Sequence, residues 1–364
     1  MKMVVAMDSF KGGCTADEAG RAAMDELHAW LARLPIQHIG VVGDFAVDGY
    51  WDLRLEAGVP SLETGKRTQP IAQQRYAGGG AANVAMNLMA LGVGRVSAFG
   101  VVGADPLGRE LLRLLEGAGI NQAGMVCQEQ DWNTVTYIKP CQDGEEMARW
   151  DFGDFNQLAA ATAERLLMAL EACWPTLDAL IINAQSPASI HTAPVQNQLA
   201  TWFTQSDAPL VIADVRDPAQ RYGDCHLKIN EQEALRLCDA SPATATVPAD
   251  EQVRTAAMAL QAAQQRPVFV TRGARGMLVA DQGGVHAIPA IDLVGRSVDV
   301  TGAGDAALAG ITAALVAGAT TLQAARVGTC TAAIALQKLG ETGQATPQEL
   351  VALWSAVVGP STGE

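Results

Sequence analysis

The stretch that most constrains this chain is Val298-Asp299-Val300-Thr301-Gly302-Ala303-Gly304-Asp305, followed at once by the apolar, alanine-rich run Ala306 to Ala317. That order reads as a strand end, a glycine turn and the first turn of a buried helix. Several free backbone N–H groups then converge on one point, and such a point attracts an anion. Asp305 stands where a carboxylate could take the proton from a hydroxyl attacking that anion, the arrangement that phosphoryl transfer needs.

Gly302 to Ala307 also fits the G-x-G-x-x-A dinucleotide fingerprint, which wants an acid about 20 residues on, at the end of a second strand. No Asp or Glu occurs between Ala306 and Gly340, and the composition stays helical to about Lys338. The dinucleotide reading is disfavoured on both counts; a helix start whose glycines only permit close packing is the plainer alternative. Gly58 to Gly65-Lys66-Arg67 is no P-loop, since its spacing is wrong and no Ser or Thr follows the Lys.

At 364 residues, 49% hydrophobic and 18% charged, the chain is expected to be globular, as one large α/β domain or two smaller ones. Its net charge of -14 argues against nucleic acid or an anionic membrane as partner. A phosphate site would then depend on backbone donors and a few basic side chains. The seven cysteines are scattered and never form C-x-x-C, which points to reduced thiols in a cytoplasmic protein and offers no zinc site. The longest apolar stretch, Ala306 to Thr320, is too short and too rich in Ala and Gly for a membrane span.

Short apolar runs at Ile39–Val42, Val96–Val101, Ala179–Ile182, Leu210–Ala213, His226–Ile229 and Val268–Thr271 read as strands. Helical patterns such as Ala81–Leu91, Leu107–Ala118 and Asp250–Gln264 lie between them. That alternation predicts a doubly wound, mostly parallel α/β sheet covered on both faces. Asp48 to Tyr76 and the alternating Thr134 to Ile138 interrupt it. They are either surface loops with an edge hairpin or a small separate sheet; long insertions beside a glycine-rich site favour a lid.

Three further clusters carry chemistry. Gly78-Gly79-Gly80 opens a helix that places Asn83 one turn in, suited to sugar hydroxyls, although a tight strand-to-helix turn explains the glycines equally well. Asn230 and Glu233, three apart after a strand, would share a helical face and offer oxygens to hydrated Mg²⁺, the alternative being a capped helix start. Thr271-Arg272-Gly273-Ala274-Arg275-Gly276 ends another strand with a hydroxyl, glycine N–H groups and two arginines, or is a simple basic turn.

Gly43-Asp44 to Asp48, Gly79-Gly80 to Asn83, Asn230 to Glu233, Thr271-Arg272-Gly273 and Asp299 to Asp305, in this order, resemble the ribokinase-type (PfkB) carbohydrate kinases over about residues 36 to 345. Val41 to Asp44 through Trp51, Gly79 to Ala85 and Thr136 to Pro140 look most like the heptose-phosphate kinase branch. The resemblance implies a ribokinase-like fold with a small β-sheet lid and an ATP-dependent kinase of a sugar or sugar phosphate. It makes Asp305 the catalytic base, with Gly302, Ala303 and Gly304 as the anion hole. Asp48, Gly79, Gly80 and Asn83 would hold the sugar, and Thr271, Gly273 and Gly276 the nucleotide. Asn230 and Glu233 would hold Mg²⁺ through water, and Asp299 and Thr301 resemble the family's K⁺ position. Val300 departs from the pattern, since a second hydroxyl residue is common there.

If the acceptor already carries a phosphate, Lys139, Arg149 and Arg75 are the cationic candidates for it. Residues 1–35 are expected to be a leader and an amphipathic helix, and 36–358 one kinase domain with lid segments at about 48–76 and 131–150. A homodimer through the lid fits that plan. Met1 to Gly12 resembles the opening of the glycerate kinases, so glycerate kinase activity is a minor alternative. A sugar- or nucleotide-binding regulatory protein of the same fold is the other.

Overall fold

Strand β1 (His38–Gly43) is the pivot of a nine-stranded sheet in a computed structural model that describes residues 16–217, 222–238, 249–293, 299–338 and 342–358. Met1 to Gly13 and the start of the glycine-turn motif, Val298, lie outside the described residues. On one side β1 pairs in parallel with β4 (Arg95–Gly103), which pairs with β5 (Asn121–Gln128). On the other side come β9 (Ala179–Ala184), β10 (Leu210–Val215), β11 (His226–Asn230) and β12 (Val268–Thr271), also parallel. The sheet ends in two antiparallel strands, β13 (Met277–Asp281) and β14 (Gly284–Ile288). The order therefore reverses at β1, and in such sheets ligands bind beyond the carboxyl ends of the strands at the reversal.

Side chains alternate across this sheet into two cores. Ile39 and Val41 of β1 face one, with helices α1 (Ala16–Arg33), α2 (Ala81–Ala90), α8 (Ala303–Val316), α9 (Thr321–Ala335) and α10 (Pro347–Val358). Val42 faces the other, with α4 (Ala160–Cys173), α5 (Ala193–Phe203), α6 (Glu231–Leu237) and α7 (Asp250–Gln264). Burial on both faces explains why the central strands read as continuous apolar runs. The short helix α3 (Pro106–Gly117) starts on a Pro after an Asp105 cap that accepts from Gly108 N–H at 2.7 Å. Helix α1 adds Leu27, Trp30 and Leu34 to the first core, and Trp30 meets Trp354 edge-on at 6.3 Å.

The two interrupting segments form a second, five-stranded sheet. It consists of β2 (Phe45–Leu53), β3 (Ile71–Gly80), β6 (Thr136–Gln142), β7 (Glu145–Glu146) and β8 (Trp150–Phe152). β2 leaves the large sheet only one residue after β1 and pairs antiparallel with β3 from Phe45↔Gly80 onward. Both approaches to the reversal point therefore run directly into the small sheet, which fixes it above the strand ends.

Candidate active site

The start of α8 has the expected shape. Gly302 takes a left-handed φ of 77°, and a Cβ there would lie 2.5 Å from Asn83 Nδ2, so only glycine fits. The first bond of the helix runs from Ala306 N–H to Gly302 C=O at 2.9 Å, leaving the N–H groups of Ala303, Gly304 and Asp305 ahead of the i→i−4 ladder. Burial pushes the Asp305 carboxyl up to about 6, against the charge of Lys228 and a hydrogen bond from Asn83 that favour the anion.

Beneath this turn lies a buried polar assembly that sequence reasoning missed. Lys228 Nζ donates to Asp214 Oδ2 at 2.8 Å, and Gln185 Nε2 donates to the same oxygen at 3.0 Å. Lys228 Nζ is 3.1 Å from where a Cβ on Gly304 would stand, so the second glycine of the motif makes room for the ammonium. Burial works against the Lys228 charge, but Asp214, Glu233 and Asp305 outweigh it and hold its pKa above the ordinary lysine value. A lysine inside the apolar strand His226-Leu227-Lys228-Ile229 was the available signal, because a buried ammonium needs a partner.

The opposite wall comes from the carboxyl ends of β1 and β9 and from the small sheet. Asp44 is buried and saturated: it accepts from Gln185 N–H and Ser186 N–H, each at 2.9 Å, and from Ser189 Oγ at 2.7 Å. It locks the loop after β9 onto β1 and has little capacity left for a ligand. Asp48 pairs with Lys139 Nζ at 3.3 Å, and that ammonium also donates to Tyr50 OH at 3.3 Å. Burial raises the Asp48 pKa despite Lys139. Between the walls is a cavity of about 170 Å³ lined among others by Asp48, Gly80, Arg149, Arg216, Gly302 and Asp305.

Of the residues expected at the site, Asp48, Gly80, Thr301, Gly302 and Asp305 line this cavity. Gly79 is buried beside Asp48, whose Oδ2 a Cβ there would approach to 3.0 Å. Asn83 is another of the residues expected to hold the sugar. It is fully buried and its amide donates to Asp305 Oδ2 at 2.9 Å, because the first turn of α2 is tucked under the start of α8.

Thr271, Gly273 and Gly276 stand at the β12–β13 turn and do not line the cavity. There Arg272 and Arg275 both pair with Asp250, at 2.9 and 3.0 Å. Asn230 and Glu233 form a capping box, Asn230 Oδ1 accepting from Glu233 N–H at 2.9 Å and Glu233 Oε2 accepting from Asn230 N–H at 2.7 Å. Replacing Asn230 by Ala should cost about 1 kcal/mol, read as a lowered denaturant midpoint at constant slope. Asp299 Oδ1 accepts from Thr301 N–H at 2.9 Å.

Of the basic residues considered for an acceptor phosphate, Lys139 and Arg149 line the cavity. Arg149 is bidentate with Asp151 and lies 4.4 Å above the Tyr137 ring. Arg75 is instead beside Asp52, at 3.5 Å, and is not a cavity residue. Arg216, from the end of β10, takes its place at the wall, with Nε 4.0 Å from Glu233 Oε1. Arg216 directly follows Val215, and it reaches the wall through the strand order, which no local pattern announced.

A doubly wound sheet beside a second, smaller sheet, with a glycine turn and a carboxylate at the crevice, has the build of a phosphotransferase that acts on sugar hydroxyls. The chain belongs to the pfkB family of carbohydrate kinases, whose model matches residues 53–348. Among curated proteins, it is similar to the bifunctional protein HldE of Caulobacter sp. strain K31, 30% identical over 343 residues, 89% of this chain and 64% of that one. HldE of Shewanella denitrificans is 27% identical over 308 residues, 82% of this chain and 60% of its own. The chain thus spans about three fifths of the length of these relatives.

Among solved structures, the phosphofructokinase-2 of Escherichia coli in complex with substrates and products superimposes with a TM-score of 0.68 at 17% identity, covering 88% of this chain and 99% of that one. A ribokinase from Thermotoga maritima gives 0.66 at 21% identity, covering 87% and 98%. At these identities the likeness shows a ribokinase-like fold.

Proposed function

We propose that this chain transfers the γ-phosphoryl group of ATP to a hydroxyl of a sugar or sugar phosphate, with Asp305 as general base. The observation that carries the reading is the Asp305 carboxyl itself, at the wall of the cavity and in the first turn of a helix whose leading N–H groups stand ahead of the i→i−4 ladder. A sugar hydroxyl within reach of Asp305 would pass its proton to the carboxylate as it attacks. The N–H groups of the Gly302–Gly304 turn would meet the negative charge as it redistributes over the phosphoryl oxygens.

Asp48 and Gly80 would hold the sugar from the lid side. The nucleotide would run from the start of α8 toward Thr271, Gly273 and Gly276, where the two glycines take left-handed φ values of 55° and 81° and the Gly276 N–H closes the turn onto Gly273 C=O at 3.0 Å. Glu233 is buried, and burial and the Asp214 charge raise its pKa, so a nearby cation would relieve it. Asn230 and Glu233 therefore fit Mg²⁺ held through water, which would supply charge neutralisation on the phosphates. Asp299 and Thr301 would hold K⁺ beside the anion hole.

HldE relatives support a heptose-phosphate-like acceptor, and Lys139, Arg149 and Arg216 supply cationic side chains at the cavity wall. Use of ATP and free thiols at Cys225 and Cys330 fit a cytoplasmic enzyme. No helix among the described residues is long and apolar enough to cross a membrane. The small sheet would act as a lid, and its exposed Ile71, Trp150 and Phe152, with Met147 between β7 and β8, suit a homodimer through that sheet.

The test is the pH dependence of sugar-stimulated ADP release. With a base of pKa about 6, kcat/KM should be level above neutrality and fall below pH 6, because protonation of Asp305 removes the acceptor for the hydroxyl proton. ADP release indifferent to every sugar and sugar phosphate offered would instead favour a binding or regulatory protein.

A further inference from the structure

We infer that Arg216 is a catalytic residue that meets the phosphoryl group in transfer, from the large sheet and together with the leading N–H groups of α8. The inference rests on the reading of the chain as a kinase with Asp305 as base, and it assigns Arg216 to the transferred group instead of to a phosphate on the acceptor.

Among the described residues that line the cavity, Lys139, Arg149 and Arg216 are the cations, and the first two are committed. Lys139 Nζ is held by Asp48 and by Tyr50 OH, each at 3.3 Å, and Arg149 is bidentate with Asp151 at 2.6 and 2.5 Å. Lys139 lies on β6 and Arg149 directly precedes β8, so both belong to the small sheet. Arg216 comes from the other side. Its backbone N–H donates to Ala184 C=O at 3.1 Å, which sets the residue at the carboxyl end of the large sheet, where β9 and β10 run side by side. Its guanidinium makes no hydrogen bond to a described residue; its ion pair is the 4.0 Å approach of Nε to Glu233 Oε1, and its side chain is 56% exposed. A planar fork of donors left open at the wall of a cavity is ready for an anion.

The neighbours of Arg216 give the place of that anion. Burial raises the pKa of Asp305, of Glu233 and of the Tyr137 phenol, and the Arg216 charge works against it at all three. Arg216 therefore acts at once on the base and on the carboxylate proposed for Mg²⁺. Lys139 and Arg149 instead oppose burial at Asp48, on the sugar side. In the proposed reaction the γ-phosphoryl group lies between base and metal site: its bond to ADP breaks, a bond to the sugar oxygen forms, and the hydroxyl proton goes to Asp305. Charge redistributes over the equatorial oxygens meanwhile. A guanidinium that stays protonated throughout would bind those oxygens more strongly in the transition state than before it.

The test is Arg216→Met in the full chain, with Arg216→Lys as the conservative variant and thermal unfolding as the control for the fold. Free and phosphorylated hexoses and heptoses serve as acceptors, and aluminium fluoride with MgADP as the mimic of the transferring group. In Arg216→Met kcat should fall about 10- to 100-fold, while the KM of the accepted sugar and the affinity for MgADP stay within about twofold. By calorimetry, the tightening of MgADP by aluminium fluoride should weaken by the same factor. Arg216→Lys keeps the charge without the fork and should recover only part of the rate.

An unchanged kcat with a KM raised about tenfold or more for phosphorylated acceptors alone would overturn the inference and give Arg216 to the acceptor phosphate. Unchanged kinetics and aluminium fluoride binding in both variants would make it a solvated surface charge and overturn the inference equally. Each of these results presupposes a native chain that releases ADP with a sugar; a native chain that does so with none refutes the kinase reading itself, and the role of Arg216 with it.

Discussion

Asp305→Asn is expected to keep the fold and ATP binding and to lower kcat by about 10²- to 10⁴-fold. The amide is nearly isosteric and cannot take up the hydroxyl proton. Two features make this the largest kinetic effect of any single change at the site. Asp305 is the carboxylate at the cavity wall that adjoins the leading N–H groups of α8, whereas Asp48 is tied to Lys139 and Asp44 is saturated by the loop after β9. The raised pKa of about 6 also places it where a base is both ionised and effective near neutral pH. Sugar-dependent ADP release, with thermal unfolding as a control for the fold, measures it. Turnover within a few-fold of the native chain would remove Asp305 from the reaction.

Lys228→Met should produce the largest loss of stability, about 3 to 5 kcal/mol, because it strands the Asp214 carboxylate without its counter-charge in a place that water does not reach. The cost is that of an unpaired buried charge and not the net worth of the pair. The double variant Asp214→Asn/Lys228→Met should therefore recover most of it. Urea denaturation of the three proteins at constant slope reads the difference directly. A loss under about 1 kcal/mol in the single variant would mean that the strand end admits water or rearranges to pair Asp214 elsewhere.

Much of the fold was legible because burial on both faces leaves a local trace. The runs at Ala179–Ile182 and Val268–Thr271 became β9 and β12 with boundaries moved by two residues at most. Asp250–Gln264 became α7 over the same residues. The terminal strands β13 and β14 left a weaker trace. They pair antiparallel through a tight turn at the sheet edge, and β14 is only partly buried along most of its length, so no apolar run marks it. The long helical composition after Asp305 conceals a break at Gly318, whose left-handed φ of 92° ends α8 and turns the chain into α9.

At the site, the glycine turn and Asp305 were readable because backbone geometry and one carboxylate are set within eight residues. Asn230 and Glu233 were readable as a spacing, and that spacing alone served both a metal and a capping box; the structure shows the box. What escaped were side-chain contacts between distant segments at the site. Lys228 meets Asp214, Asn83 meets Asp305 and Arg216 reaches the cavity wall through pairings set by the strand order, and no local periodicity encodes that order.

The central claim is that the chain moves a phosphoryl group from ATP to a sugar hydroxyl, and ³¹P NMR of the reaction mixture tests it most directly. The chain, with ATP, Mg²⁺ and a panel of free and phosphorylated sugars, should give ADP and a new phosphate monoester in equal amounts for at least one sugar. Neither should form with Asp305→Asn on the same timescale. Inorganic phosphate accumulating at the same rate with and without sugar, and no new monoester from any member of the panel, would contradict the account.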